Sequence, residues 1–231
     1  MRTLGIVPAR GGSRRVPGKN LAVLAGTTLV RRALETAVAA GCFETVCLSS
    51  EDEEILGQAN GLDVVRALRP PELASDETLV ADVLLHVLES LEERKRPFDA
   101  VAIVQCTSPF TAPADVAGTV ALLERSGAES AVSVVRLEAA QHPLKLKRLE
   151  GDRLLPYLED DRLMPSQELP PLWVRNGSVY VFRRDVVDRR LQAEDVRGYE
   201  MPAERSFDID TPRDLAFAEF LVERGGYSEA P

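Results

Sequence analysis

Histidine is almost missing from this chain of 231 residues: His86 and His142 are the only two. A centre built from several imidazoles is therefore excluded, and a histidine general base has two candidates. Cysteine is also scarce, with Cys42, Cys47 and Cys106. An odd number without CxxC spacing argues for reduced thiols and against a disulfide framework or a thiolate zinc site. Aromatics make up 5% of residues, so the core must be built from Val, Leu, Ile and Ala. No apolar run reaches the length of a membrane span, and the N-terminus has no signal-peptide pattern, which predicts a soluble, cytoplasmic protein. The net charge of −9 speaks against non-specific binding to nucleic acid or a membrane surface.

Apolar residues are plentiful, at 45%, enough for one sizeable core. Strand and helix patterns alternate from Thr3 to Val135. Strands are expected at Thr3–Val7, Thr45–Ser49, Asp63–Ala67, Asp99–Gln105 and Glu129–Val135. Helices are expected at Thr28–Ala40, Asp52–Ala59, Asp76–Arg94 and Asp115–Arg125. This order predicts an α/β fold, a mostly parallel sheet with helices on both faces. Ligands of such sheets bind beyond the carboxyl ends of the strands. Pro8–Asn20, Ser49–Ser50, Leu68–Ser75 and Gln105–Pro109 should thus share one rim. Residues 137–172 break the rhythm with charge and proline, as a small β excursion or a loop. A strand at Ser178–Phe182, a short helix near Asp185–Arg190, a strand at Gly198–Met201 and a helix at Thr211–Glu223 follow. The last has Thr211 as N-cap and Asp214 at capping-box spacing. The reading is of one domain, 1–231, with 137–172 inserted.

The acidic chain carries one concentrated cationic stretch, VPARGGSRRVPGKN, at Val7–Asn20. It matches neither the G-x-x-x-x-G-K-[ST] phosphate loop nor the G-x-G-x-x-G dinucleotide fingerprint. It nonetheless suits a polyphosphate. Gly11, Gly12 and Gly18 allow close backbone approach, and Arg10, Arg14, Arg15 and Lys19 supply charge-assisted donors. A solvated, idle basic loop is the alternative on composition alone. Near the other end, Asp208 and Asp210 stand at i and i+2. In an extended segment both carboxylates face one way, as hard oxygen ligands for Mg²⁺ would. An edge of solvated acids, or a cap for the last helix, is the alternative.

ARGGSRRVPGKN resembles the N-terminal signature of the acylneuraminate cytidylyltransferase family. LRPPELASD (68–76), QCTSPF (105–110), QHPLK (141–145), RNGSVYVF (175–182) and ERSFDIDTPRDL (204–215) are similar to further blocks of that family, in family order over nearly the whole chain. The resemblance implies a Rossmann-like nucleotide-diphospho-sugar transferase fold. It also implies transfer of CMP from CTP to the anomeric hydroxyl of a nine-carbon sialic-acid-like (nonulosonic) acid, with release of pyrophosphate.

By the same resemblance, Arg10, Lys19 and Asp210 are catalytic, and Asp208 and Asp210 hold Mg²⁺. Ala9, Arg10, Gly11, Gly12, Ser13, Lys19, Asn20, Arg69 and Ser75 bind the nucleotide. Ser75 is equally well the N-cap of the long helix. Gln105, Thr107, Ser108, Arg175, Asn176 and Tyr180 lie on the sugar side, although Thr107 and Ser108 also read as turn hydroxyls and Tyr180 as plain core. Cys106 replaces a common proline, and no cation or base stands beside it in sequence to activate it. Ser166 occupies a position often held by Arg, and Arg175 stands one residue nearer its Asn than usual. Legionaminic, pseudaminic or a related acid therefore stays open as acceptor. The insertion implies a homodimer, with His142 near the partner's site, or else a lid without a partner; His86 reads as structural. The rivals are a cytidylyltransferase for 3-deoxy-manno-octulosonate, an enzyme joining GTP to a hexosamine phosphate, and a non-catalytic nucleotide-binding regulator.

Overall fold

The computed structural model describes residues 1–13, 15–75, 77–92, 97–159 and 164–225. Arg14 of the cationic loop and Asp76, expected to open the long helix, lie outside them. In chain order the strands are β1 (Thr3–Pro8), β2 (Val23–Leu24), β3 (Thr27–Thr28), β4 (Thr45–Ser50), β5 (Val65–Leu68), β6 (Ala100–Val104), β7 (Ser130–Arg136), β8 (Lys147–Glu150), β9 (Arg153–Pro156), β10 (Trp173–Arg183) and β11 (Val196–Glu200). The α-helices are α1 (Leu29–Ala39), α2 (Glu53–Gly57), α3 (Val80–Glu92), α4 (Pro113–Ser126), α5 (Arg184–Asp188) and α6 (Pro212–Glu223).

Seven strands form the main sheet in the order β11-β7-β10-β6-β1-β4-β5. All run parallel except β10, which is antiparallel to both β6 and β7. The alternation of the strand pleat sorts the core into two layers. Leu4, Ile6, Val101 and Ile103 pack with Leu84 and Leu88 of α3 and Val186 of α5. Val7, Ala102 and Val104 face Leu34 of α1, Val116 and Leu123 of α4 and Ala218 of α6 on the opposite side.

The helix starts have visible chemical causes. The Thr28 hydroxyl accepts the Arg31 amide in α1, Asp52 accepts the amides of Glu54 and Ile55 in α2, and Thr211 with Asp214 makes the expected capping box of α6. The long helix departs from its pattern: α3 begins at Val80, and Leu79 and Val80 are 60% and 44% exposed. The apolar period runs one turn into the rim segment before the helix. Ser75 consequently does not cap α3; it closes the short 3-10 turn Pro71–Ala74, and its hydroxyl contacts that of Thr78 at 2.9 Å.

Within the insertion, β8 and β9 pair as a separate two-stranded sheet, so the β excursion is the form it takes. His142, 5% exposed, fastens its entry. Its Nδ1 accepts the Leu144 amide at 3.2 Å, so Nε2 carries the proton and donates to the Pro170 carbonyl at 3.2 Å. β10 starts earlier than its alternation suggests. The reason is a register shift between Arg175 and Tyr180, which Gly177 accommodates at φ +82°.

Candidate active site

The carboxyl ends of β1, β4, β5, β6, β7 and β11 lie at one rim, and the antiparallel β10 brings its first residues there too. The cationic loop leaves β1 and is tied down from several sides. The Ala9 amide donates to Ser49 O at 3.0 Å, extending the β1–β4 ladder by one bond. Asn20, 8% exposed, donates from Nδ2 to Arg10 O at 2.8 Å and closes the loop on itself. Val16 is buried, and Gly18 takes the left-handed conformation at φ 64° that starts the turn Lys19–Leu21. Gly12 is open, since a Cβ built there meets nothing within 4 Å. Ser13 is half-buried, as is Arg10.

Lys19 points across the rim to the far end of the chain. Its Nζ donates to Ile209 O at 2.9 Å and to Asp210 Oδ1 at 3.3 Å. Arg15 reaches the other oxygen of Asp210 at 3.2 Å. The acidic segment is an irregular connection before α6 rather than a strand, yet its residues still alternate. Ile209 is fully buried, its amide bonded to Thr107 O at 2.8 Å, and Asp208 and Asp210 face outward. Burial of one such side chain contributes about 1.5–3 kcal/mol, which anchors both acids.

Upstream, Arg205 makes a two-pronged ion pair with the wholly buried Asp115 of α4, at 2.7 and 2.9 Å. Downstream, Asp214 accepts the amides of Asp210 and Thr211. Desolvation alone would raise the Asp214 pKa, but hydrogen bonds from the Thr211 hydroxyl and these amides bring it below the ordinary aspartate value. Asp208 is shifted upward. Desolvation by the packed protein around its carboxylate is the main cause; the nearby Asp210 adds to it, and a hydrogen bond from Thr107 and the charge of Lys19 oppose it. An upward-shifted Asp208 with a second carboxylate close by fits a cation between or beside them. No group of three or more His, Cys, Asp or Glu side chains converges among the described residues. The protein would therefore offer a metal these two carboxylates, with other ligands from phosphate and water.

The sugar-side candidates gather around β6 and β10. Gln105 is half-buried, its amide bonded to Ser178 O at 3.0 Å. Ser108 is buried with an unpartnered hydroxyl, and Ser108 O caps the turn to Thr111. Tyr180 is half-buried with its pKa raised, first by desolvation and then by Asp208, against the lowering effect of the exposed Arg175. That places Tyr180, Arg175 and Asp208 in one electrostatic neighbourhood. Asn176 is 7% exposed and fully engaged inside the protein, with Ser133, Met201, Ser206 and the Ser178 amide. Burial pushes the Cys106 thiol to about 12, so no thiolate is available there at neutral pH.

Arg69 is brought to the same rim but already has a counter-ion. Its Nε and Nη2 donate to Glu51 Oε2 at 3.1 and 3.0 Å, and its side chain is 4% exposed. Glu51, whose other oxygen accepts the Gly11 amide at 2.8 Å, is absent from the sequence-based candidates. Its signal was positional, since it directly follows the buried strand β4, where rim residues of a parallel sheet occur.

A family model described as "Cytidylyltransferase" matches residues 4–229. The CMP-N,N'-diacetyllegionaminic acid synthase of Legionella pneumophila is 30% identical over 96% of this chain and 97% of its own length. N-acylneuraminate cytidylyltransferase A of Danio rerio is 32% identical over 96% of this chain, but this chain spans about half (51%) of that protein. Among solved structures, a CMP:2-keto-3-deoxy-manno-octonic acid synthetase complexed with CTP superposes with a TM-score of 0.72 at 20% identity, covering 97% of this chain and all of the other. The 4-diphosphocytidyl-2C-methyl-D-erythritol synthase of Anaerococcus prevotii gives 0.67 at 12% identity, over 96% of this chain and 99% of the other. These two support the fold.

Proposed function

The chain belongs to the cytidylyltransferase family, and on that premise we propose that it transfers CMP from CTP to the anomeric hydroxyl of a sialic-acid-like nonulosonic acid and releases pyrophosphate. The observation that carries this reading is the meeting of Lys19 with Asp210 at the carboxyl rim.

Negative charge grows on the bridging and leaving oxygens as the α-phosphorus is attacked, so fixed positive charge and positioning do most of the work. Lys19 and Arg10 hold and offset the triphosphate. Gly12 and Ser13 form the backbone cradle, Gly12 leaving room for a phosphate oxygen, while Ala9 and Gly11 tie the loop to the end of β4 and the turn after it. Asn20 keeps the loop closed, and Arg69 and Ser75 border the nucleotide. Gln105, Thr107, Ser108, Arg175, Asn176 and Tyr180 shape the sugar side, Asn176 by fixing the β10 bulge. Asp208 and Asp210 would hold Mg²⁺, which when bound neutralises phosphate charge. Lys19 and Arg15 then exchange part of their hold on Asp210 for phosphate oxygens.

Residues 137–172 serve as a dimerisation element. Leu149 and Leu154 are direct cross-strand partners, each 66% exposed. A twofold partner would cover this apolar face. Use of CTP and three free thiols fit a reducing, cytoplasmic setting. Among the described residues no helix is long and apolar enough to cross a membrane.

The test is pyrophosphate release with Mg²⁺, each nucleoside triphosphate in turn, and a panel containing neuraminic, legionaminic, pseudaminic and eight-carbon octulosonic acids. Turnover with CTP and a nine-carbon acid is expected. Turnover confined to GTP, or to the eight-carbon acid, would overturn the reading.

A further inference from the structure

The turn after β4 touches both halves of the nucleotide side of the rim. Ser49 O accepts the Ala9 amide and Ser50 O accepts the Arg69 amide, each at 3.0 Å. Between these anchors Glu51 divides its carboxylate. Oε1 takes the Gly11 amide at 2.8 Å, and Oε2 takes Nε and Nη2 of Arg69 at 3.1 and 3.0 Å. Arg69 and Glu51 are 4% and 19% exposed, so the pair is largely shielded from water and its geometry is firmly held. The next residue presses on the same loop: a Cβ at Gly11 would lie 2.7 Å from Asp52 Oδ2. The glycine is therefore needed for the loop to lie close against this turn.

We infer that Glu51 is a positioning residue that sets the nucleotide affinity by holding the glycine loop and Arg69 at a fixed spacing. The inference rests on the functional reading above, in which both partners of Glu51 border CTP. Nε and Nη2 each give one N–H to Glu51, which leaves three of the five guanidinium N–H groups, two on Nη1 and one on Nη2, uncommitted to it. With the Gly11 amide consumed, the loop offers the amides that follow it. Glu51 need not touch the substrate to act. It removes the rotational freedom of Arg69 and of the loop before the nucleotide arrives, a cost otherwise met on binding. Among the described residues its hydrogen bonds and ion pair go to Gly11 and Arg69 and not to the sugar-acid side built from β6 and β10.

The experiment measures CTP affinity by calorimetry with the full chain and Mg²⁺, and the KM of the sugar acid in turnover. Glu51→Gln keeps the shape but removes the charge holding Arg69. It should weaken CTP binding by about tenfold or more and leave the sugar-acid KM within about twofold of wild type. In a Glu51→Gln/Arg69→Gln double variant the loss should be no larger than that of Arg69→Gln alone, because both changes break one device. Should Glu51→Gln not fold, Glu51→Asp decides: its carboxylate, one methylene shorter, cannot span both partners and should lose affinity while remaining charged. Wild-type affinity in the folded variant, fully additive losses, or a parallel rise in sugar-acid KM would each overturn the inference. A wild-type protein that fails to bind CTP refutes the functional reading itself, and this inference with it.

Discussion

Lys19 and Asp210, 191 positions apart in the chain, are joined by a 3.3 Å contact, and the same ammonium holds the carbonyl of the buried Ile209 at 2.9 Å. The Lys19 side chain is 14% exposed and that of Asp210 is 49% exposed. The cation is thus fixed while the carboxylate stays open to a further ligand. A pair of this kind at a shielded rim costs little reorganisation when charge develops nearby.

Lys19→Ala and Asp210→Asn should each lower turnover by at least about a hundredfold. Pyrophosphate release at saturating CTP measures this directly. Near-normal rates in both variants would remove these residues from the chemistry.

The acidic loop depends on a remote ion pair. Arg205→Ala leaves the carboxylate of Asp115, 0% exposed, without its guanidinium partner. Breaking a buried pair from one side costs roughly 3–5 kcal/mol, and the low end applies because Arg205 is itself 36% exposed. Urea unfolding should show a loss of about 3 kcal/mol. A change within experimental error would mean that Asp115 finds solvent or another donor.

Most of the layer architecture was readable from periodicity, and the shortfalls have local causes. Strands β1, β4 and β6 are buried on both faces, and such runs are hard to misplace. The start of α3 departs from its pattern because Leu79 and Val80 continue an apolar period on residues that the fold leaves exposed. In the candidate site the charge-rich stretches Arg10–Lys19 and Asp208–Asp210 stand out in the sequence, and the structure brings Lys19 and Arg15 against Asp210. Glu51 escaped because one carboxylate after a strand carries no spacing signal, and the Arg205–Asp115 pair because nothing local links positions 90 apart.

Glu129, just before β7, has its pKa lowered from 4.5 to about 2 by the Glu194 amide first, then Arg189 and the Asp195 amide. A depressed folded-state pKa means that the unfolded chain binds more protons in this window, so the stabilisation rises with pH. It should be fully present above about pH 4.5 and lost as pH falls toward about 2. The stability gap between wild type and Glu129→Gln, followed by denaturant titration at several pH values, should narrow over that range. A constant gap would show that the charge is not responsible.

Placing lysines at the exposed cross-strand pair, Leu149→Lys with Leu154→Lys, should halve the mass seen by sedimentation without altering the circular dichroism spectrum. A wild-type protein that already sediments as a monomer at micromolar concentration would contradict the proposed assembly.

The position of β10 has a consequence for biosynthesis. This strand alone joins β7 and β11 to the rest of the main sheet, and it emerges from the ribosome long after β6 and β7. Until residues 173–183 are made, the borders of β6 and β7 that β10 will fill face water, ready to pair with a neighbouring nascent chain. A translational pause ahead of Trp173 should therefore reduce the yield of correctly assembled protein more than a pause after Arg183.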